Sequence, residues 1–142
     1  MTRRYITLAL LAIGATLCRT AHPSELPHPG NRYKITQPMY LMATYNSLND
    51  RRISRETARA YLHAARYYDK AWVAFQNEVP AGTVMTIVGP TSSVWHLPFF
   101  ANRYVVRLEP DPSQGLDIVL ELDRGIEGSL DGLNPEIFSR LQ

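Results

Sequence analysis

In "RYVVRLE" (103–109) and "LDIVLELD" (116–123), apolar and polar residues alternate along the chain. Tyr104, Val106 and Leu108 fall on one face of the first stretch. Leu116, Ile118, Leu120 and Leu122 fall on one face of the second. A period of two is the signature of a half-buried strand. With "PDPSQG" between them, the two stretches predict an antiparallel hairpin whose loop is longer than the tight two-residue kind. Both apolar faces must point inward, and this restricts the register to every second alignment. Of the candidates, the one that sets Arg103 opposite Glu121 and Arg107 opposite Asp117 pairs opposite charges. The next alignment sets Glu109 against Asp117, like against like, although it pairs Arg103 with Asp123.

Upstream, "RYKI" (32–35) and "MYLMATY" (39–45) are β-prone, with Pro38 forcing a break or an edge between them. "NSLNDR" (46–51) is rich in turn formers. From Arg55 to about Asn77 the pattern changes to three- and four-residue spacing, through Ala58, Tyr61, Leu62, Ala65, Tyr68, Trp72 and Phe75. Ser54 stands where an N-cap would, Ile53 and Ala58 are placed for a hydrophobic staple, and Glu56 suits the positive N-terminal end. This predicts a long amphipathic helix ended by Pro80. Its opposite face would carry Arg55, Arg59, His63, Arg66 and Lys70 within an arc of about 80°. After Val79 strand signals return. "VPAGTVMTIVGP" places a turn before an apolar run, and "SSVWHLPFF" reads as a shorter strand or edge. In the tail "RGIEGSLDGLNPEIFSRLQ", the glycines mark turns. Asn134 followed by Pro135 and Glu136 predicts a short C-terminal helix, docked by Ile137, Phe138 and Leu141.

"NEVPAGTVMTIVGP" resembles the segment of bacterial SH3-like domains where a strand, a short polar turn and a β run meet, and "VWHL" resembles the strand that follows. The likeness covers about residues 76–109. It implies a non-catalytic module working by surface contact, with Tyr40, Tyr45, Trp95, Phe99 and Phe100 available to a contact surface or to the core. It fails further upstream, where the loop that usually contacts ligand is replaced by the expected helix, so no binding residue is transferred from it. The fold class expected is therefore α+β: a small antiparallel SH3-like barrel or meander sheet with one long helix (about 55–77) and a short C-terminal one.

The N-terminus bears on location. Arg3 and Arg4 precede an apolar stretch of twelve residues, Ile6 to Leu17, too short for the roughly 20 residues that span a bilayer. Basic residues, an apolar core and a small-residue zone form the layout of a secretory signal, here residues 1–21. Residues 22–32, "HPSELPHPGNR", read as a Pro-rich leader, and 33–142 as one globular domain. Cys18 is the single cysteine. It is a candidate lipidation site, with Leu17 departing from the small residue a lipoprotein signal expects, and simple cleavage is the alternative. The expected location is periplasmic or secreted, tethered to a membrane only if Cys18 carries a lipid.

Without the signal, 12 basic and 13 acidic residues remain, and they segregate. Residues 22–70 carry eight basic and four acidic groups, and residues 71–142 carry four basic and nine acidic. This balance argues against nucleic acid as a partner. Chemistry-bearing motifs are scarce. His22 and His28 flank prolines, and neither His63 nor His96 has a metal-spaced neighbour. Ser92 and Ser93 near His96 make no nucleophile elbow. Asp117, Glu121 and Asp123 alternate outward as a solvated strand would place them. No cofactor is expected.

The reading that follows is an exported, non-catalytic binding or assembly protein of the bacterial cell envelope. Its partner would be an envelope protein or an anionic wall or lipid component. The surface expected to bind is the basic helix face Arg55, Arg59, Arg66 and Lys70, extended by Arg51 and Arg52. A periplasmic immunity or inhibitor protein that occludes a toxin or hydrolase is a second reading, and a small wall or lipid hydrolase a third.

Overall fold

The structure is a computed structural model that describes residues 25–66, 71–92, 102–122 and 125–142. Everything in it is β. Ten strands are present among the described residues: β1 (Arg32–Ile35), β2 (Met39–Tyr45), β3 (Ala58–His63), β4 (Val73–Val79), β5 (Val84–Pro90), β6 (Asn102–Glu109), β7 (Ile118–Leu122), β8 (Gly128–Ser129), β9 (Gly132–Leu133) and β10 (Phe138–Leu141). Eight of them form one mixed sheet in the order β10-β1-β5-β6-β7-β3-β2-β4, while β8 and β9 form a separate two-stranded hairpin. The α+β expectation is wrong, and so is an all-antiparallel sheet, because β3 and β7 pair in parallel through Ala60–Ile118 and Tyr61–Val119.

The long helix expected over 55–77 is two strands. Its start signal marks only a single turn. The Ala58 N–H donates to the Ser54 carbonyl at 2.9 Å, and the Thr57 N–H to the same carbonyl at 3.1 Å. The chain then straightens into β3. Alanine is the reason the pattern misleads. Ala58, Leu62 and Ala65 satisfy a helical period, yet Ala58, Ala60 and Leu62 satisfy a period of two, and it is these last three that are buried. Pairing with β2 from Tyr40–His63 to Tyr45–Ala58 overrides the helix preference of an Ala- and Arg-rich segment. The expected C-terminal helix fails in the same way. Phe138 N–H donates to Asn134 C=O at 2.9 Å, the Asn134 side chain accepts from Glu136 N–H at 3.0 Å, and β10 begins at once.

The hairpin β6–β7 has the register that its charges require. Arg103 lies opposite Glu121 and Val106 opposite Ile118, and the Arg103 Nε stands 3.5 Å from a Glu121 carboxylate oxygen.

Two strand pairs organise the rest. β1 pairs with β5 and β2 with β4, both antiparallel. Lys34 faces Val84 on one side of the bend at 36–38, and Met39 faces Val79 on the other, so the register runs unbroken through the corner. Backbone bonds continue there as well, from Ile35 N–H to Thr83 C=O and from Gly82 N–H to Ile35 C=O. Pro38 and the Pro80–Gly82 turn thus bend one continuous ribbon instead of separating two. Such a bend lets a single sheet coil over itself. Its inward face gathers Ile35, Met39, Leu41, Leu62, Met85, Ile87, Leu108, Leu120 and Leu122 into one cluster, with Ile137 and Phe138 alongside. Burial of this face is the main stabilising term.

Candidate functional site

Of the five arginines and one lysine expected on one basic face, the arginines are distributed along β3 and beyond both of its ends. Arg51, Arg52 and Arg55 are exposed in the connection 46–57 that precedes β3. Arg59 is half-buried on β3, opposite Thr44. Arg66 is exposed past the far end of the strand, its guanidinium 5.0 Å from the centre of the Tyr40 ring. Lys70 lies outside the described residues, as do Cys18 and the segment 1–24, and Trp95, His96, Phe99 and Phe100. Among the described residues there is therefore no continuous basic stripe: an extended strand separates Arg59 from Arg66, where a helix would have stacked them.

The connection 46–57 is built from short polar bonds. Asp50 N–H reaches Ser47 C=O at 3.3 Å and Asn49 N–H reaches Ser47 Oγ at 3.2 Å, which closes a turn with Leu48 and Asn49 at its tip. The Asn46 side chain donates to Glu56 C=O at 2.8 Å, and Thr57 Oγ1 donates to Arg52 C=O at 2.6 Å. The Arg52 guanidinium grips Asp50 at 2.6 and 2.9 Å. That bond from the Arg52 side chain pulls the Asp50 carboxyl down to about 2. A hydrogen bond from the Ser54 hydroxyl likewise holds Glu56 below the usual carboxylate range. Arg55 reaches across to Gly115 C=O at 3.0 Å and ties the connection to the β6–β7 loop. Among the described residues, Arg51 has no such bond.

Large apolar side chains stand open at the same end of the sheet. Leu48 is 37 % exposed, Ile53 45 % and Trp72 39 %. Trp72 is held there because its carbonyl accepts from Tyr45 N–H at 3.0 Å, just before the connection begins. Sequence reasoning placed Trp72 on the buried face of a helix and so missed it. Leu48 carried no signal apart from its position in a turn-rich stretch, and Ile53 was read as the staple of the expected helix, a role its exposure does not fit.

The outward face of the sheet holds a second group, and its polar atoms are largely engaged. Tyr61 stacks on His63 at 6.2 Å between ring centres. Met42 and Val119, one on each neighbouring strand opposite Tyr61, are buried although they face away from the main core. Desolvation pushes the Tyr61 phenol above its ordinary value. His63 Nδ1 lies 3.7 Å from Glu127, whose carboxylate also accepts from Ala64 N–H at 2.6 Å. Burial works to raise the Glu127 carboxyl, but the bonds from His63, from Ala64 N–H and from its own N–H outweigh it and hold the group below its usual range. Among the described residues no group of three or more His, Cys, Asp or Glu is placed to hold a metal ion. No family model, curated relative or solved structure matches the chain.

Proposed function

We propose that this is an exported, non-catalytic binding protein of the bacterial cell envelope, and that it contacts its partner through the end of the sheet formed by residues 46–57 and Trp72. The observation that carries this reading is the grouping of exposed Leu48, Ile53 and Trp72 with exposed Arg51, Arg52 and Arg55. Apolar anchors beside arginine are the make-up of interface hot spots, where tryptophan and arginine contribute most. The outward-face cluster is the poorer candidate, since its aromatic rings and its buried carboxylate already satisfy one another. The partner is an envelope protein or an anionic wall or lipid component. The basic patch of the earlier expectation is thereby reduced to its loop members, with Arg59 and Arg66 outside the contact.

The test is recovery of the native partner from an envelope fraction with three tagged chains: unaltered, Arg51→Glu/Arg52→Glu/Arg55→Glu, and Trp72→Ala. Both variants should weaken retention by about tenfold or more, the scale of a lost hot spot. Arg107→Glu, an exposed change on β6, should leave it unaltered. Equal retention by all four chains would remove the loop end as the contact surface. Export is tested separately by the intact mass and N-terminal residue of the protein from that fraction. A chain that still begins at Met1 contradicts it.

A further inference from the structure

The two margins of the large sheet are unequal. β10 is four residues long, and its Arg140 is held by Glu25 at 3.0 Å. β4 runs for seven residues, and among the described residues β2 is its one partner. Which of its backbone groups are open follows from the alternation of bonds along β2. Asn46 N–H donates to Thr57 C=O, so the even-numbered residues of β2 turn their backbone toward β3. Tyr45 N–H donates to Trp72 C=O, so the odd-numbered residues turn toward β4. Ala43–Phe75, Leu41–Asn77 and Met39–Val79 are therefore the bonded pairs. Gln76 and Glu78 aim both N–H and C=O away from the sheet. The register shift between Ala43 and Thr44 makes Ala74 an extra residue, and so a bulge closes this open edge at its N-terminal side.

We propose that this edge pairs with the same edge of a second copy, antiparallel about a twofold axis that passes between the two Asn77 residues. The argument is self-complementarity. Gln76 then faces Glu78 of the second copy, an amide against a carboxylate, and the two exchange backbone bonds twice over. Phe75 faces Val79 of the second copy on the other side of the ladder. The neighbouring registers are worse. Placing Glu78 against Glu78 sets two carboxylates directly opposite each other, and placing Gln76 against Gln76 brings the bulged Ala74 against Glu78. The occupant is thus another copy of this chain, joined in the isologous contact usual for a symmetric dimer. The inference does not depend on the loop-end reading above.

Sedimentation velocity of the purified chain over a concentration series tests it, with two variants. Gln76→Pro removes an N–H that points off the sheet, a position where proline is tolerated in an edge strand. It should weaken dimerisation by at least about tenfold while far-UV circular dichroism stays the same. Asn77→Cys, made with Cys18→Ser, brings two thiols together in a closely spaced non-bonded pair. It should give a disulfide-linked dimer on mild oxidation, where Arg107→Cys in the same background does not. A chain that stays monomeric at every concentration overturns the proposal. So does a dimer whose dissociation constant is unmoved in folded Gln76→Pro, or an Asn77→Cys chain that links no faster than Arg107→Cys. If Gln76→Pro fails to fold, the cross-linking result decides.

Discussion

At one end of β3, Asp50 and Arg52 pair at the surface, and Leu48, Ile53 and Trp72 stand exposed at the same end of the sheet. At the other end, Glu127 is almost covered, its side chain 11 % exposed, and it takes a backbone N–H and a histidine as partners. Each end has a single turn near it, at Ser54 just before β3 at the first, and at Asn134, whose N–H donates to Glu127 C=O, at the second. They differ in what the charged groups face. Glu127 satisfies Ala64 N–H just past the end of β3, and so latches the β8–β9 hairpin onto the sheet. The loop-end charges satisfy mainly their own loop. Charge at the latched end is structural, whereas at the loop end it is available to a partner.

The sharpest way to break the latch is to deform its hairpin. Gly128 has φ +157°, and a Cβ there would collide with the carbonyl oxygen of Gly132, with the Leu122 side chain and the Leu133 Cα close behind. The obstruction is backbone, and so it cannot swing away. Gly128→Ala should destabilise the protein by about 3 kcal/mol, combining steric conflict with an unfavourable φ, and chemical denaturation reads this directly. A loss below about 1 kcal/mol, the ordinary effect of a point change, would mean that the hairpin is not tightly seated.

A smaller and more specific effect is expected from the carboxylate itself. Glu127→Gln keeps the shape and removes the charge that strengthens the bond from Ala64, a loss of about 1–2 kcal/mol at neutral pH. The pH dependence carries a sign. The folded carboxyl is held below its usual value of 4.5. Its contribution is therefore complete above that value and is lost as the pH falls through the lower folded one. The stability gap between the unaltered chain and Glu127→Gln should narrow on acidification below about pH 4.5. A gap that is constant with pH would assign the effect to packing.

How much of this was legible beforehand differs along the chain. The hairpin β6–β7 could be read to its register, because Tyr104, Val106, Leu108, Ile118, Leu120 and Leu122 alternate strictly and the like charges of Glu109 and Asp117 disfavour the neighbouring alignment. β1 and β2 were legible as well, at the bounds expected. β3 and β4 were not. Alanines at 58, 60, 64, 65 and 71 are small enough to count on either face, so a period of two and a period of 3.6 describe the segment equally well. The choice is made by β2, which offers a strand partner, and by the parallel neighbour β7. Neither lies within the window in which periodicity is judged. Asn134 marked a true cap and Ser54 the start of a single turn, but such a signal says where a helical turn begins, not how many turns follow. The candidate site inherited this error: with no helix there is no helix face to join the arginines, and of those placed on it Arg55 and Arg66 are exposed while Arg59 is half-buried. Trp72 was placed in a core it does not enter.

The loop end gives the smallest expected effect, and its smallness is informative. Asp50 is held down to about 2 by Arg52, yet the pair lies at the surface, the Arg52 side chain 79 % and the Asp50 side chain 36 % exposed, and surface ion pairs of this kind add little to stability. In Arg52→Ala, the Asp50 carboxyl should titrate close to its ordinary value of 3.8, as followed by its side-chain carbon shift in an NMR titration. The melting temperature should be unchanged between pH 5 and 7 (a window above both titrations). If the melting temperature instead falls as far as it does in Glu127→Gln, the Asp50–Arg52 pair is structural and the contrast between the two ends fails. If only the titration moves, the arginine is free to be drawn from its carboxylate by a partner at little expense to the fold, as a binding surface requires.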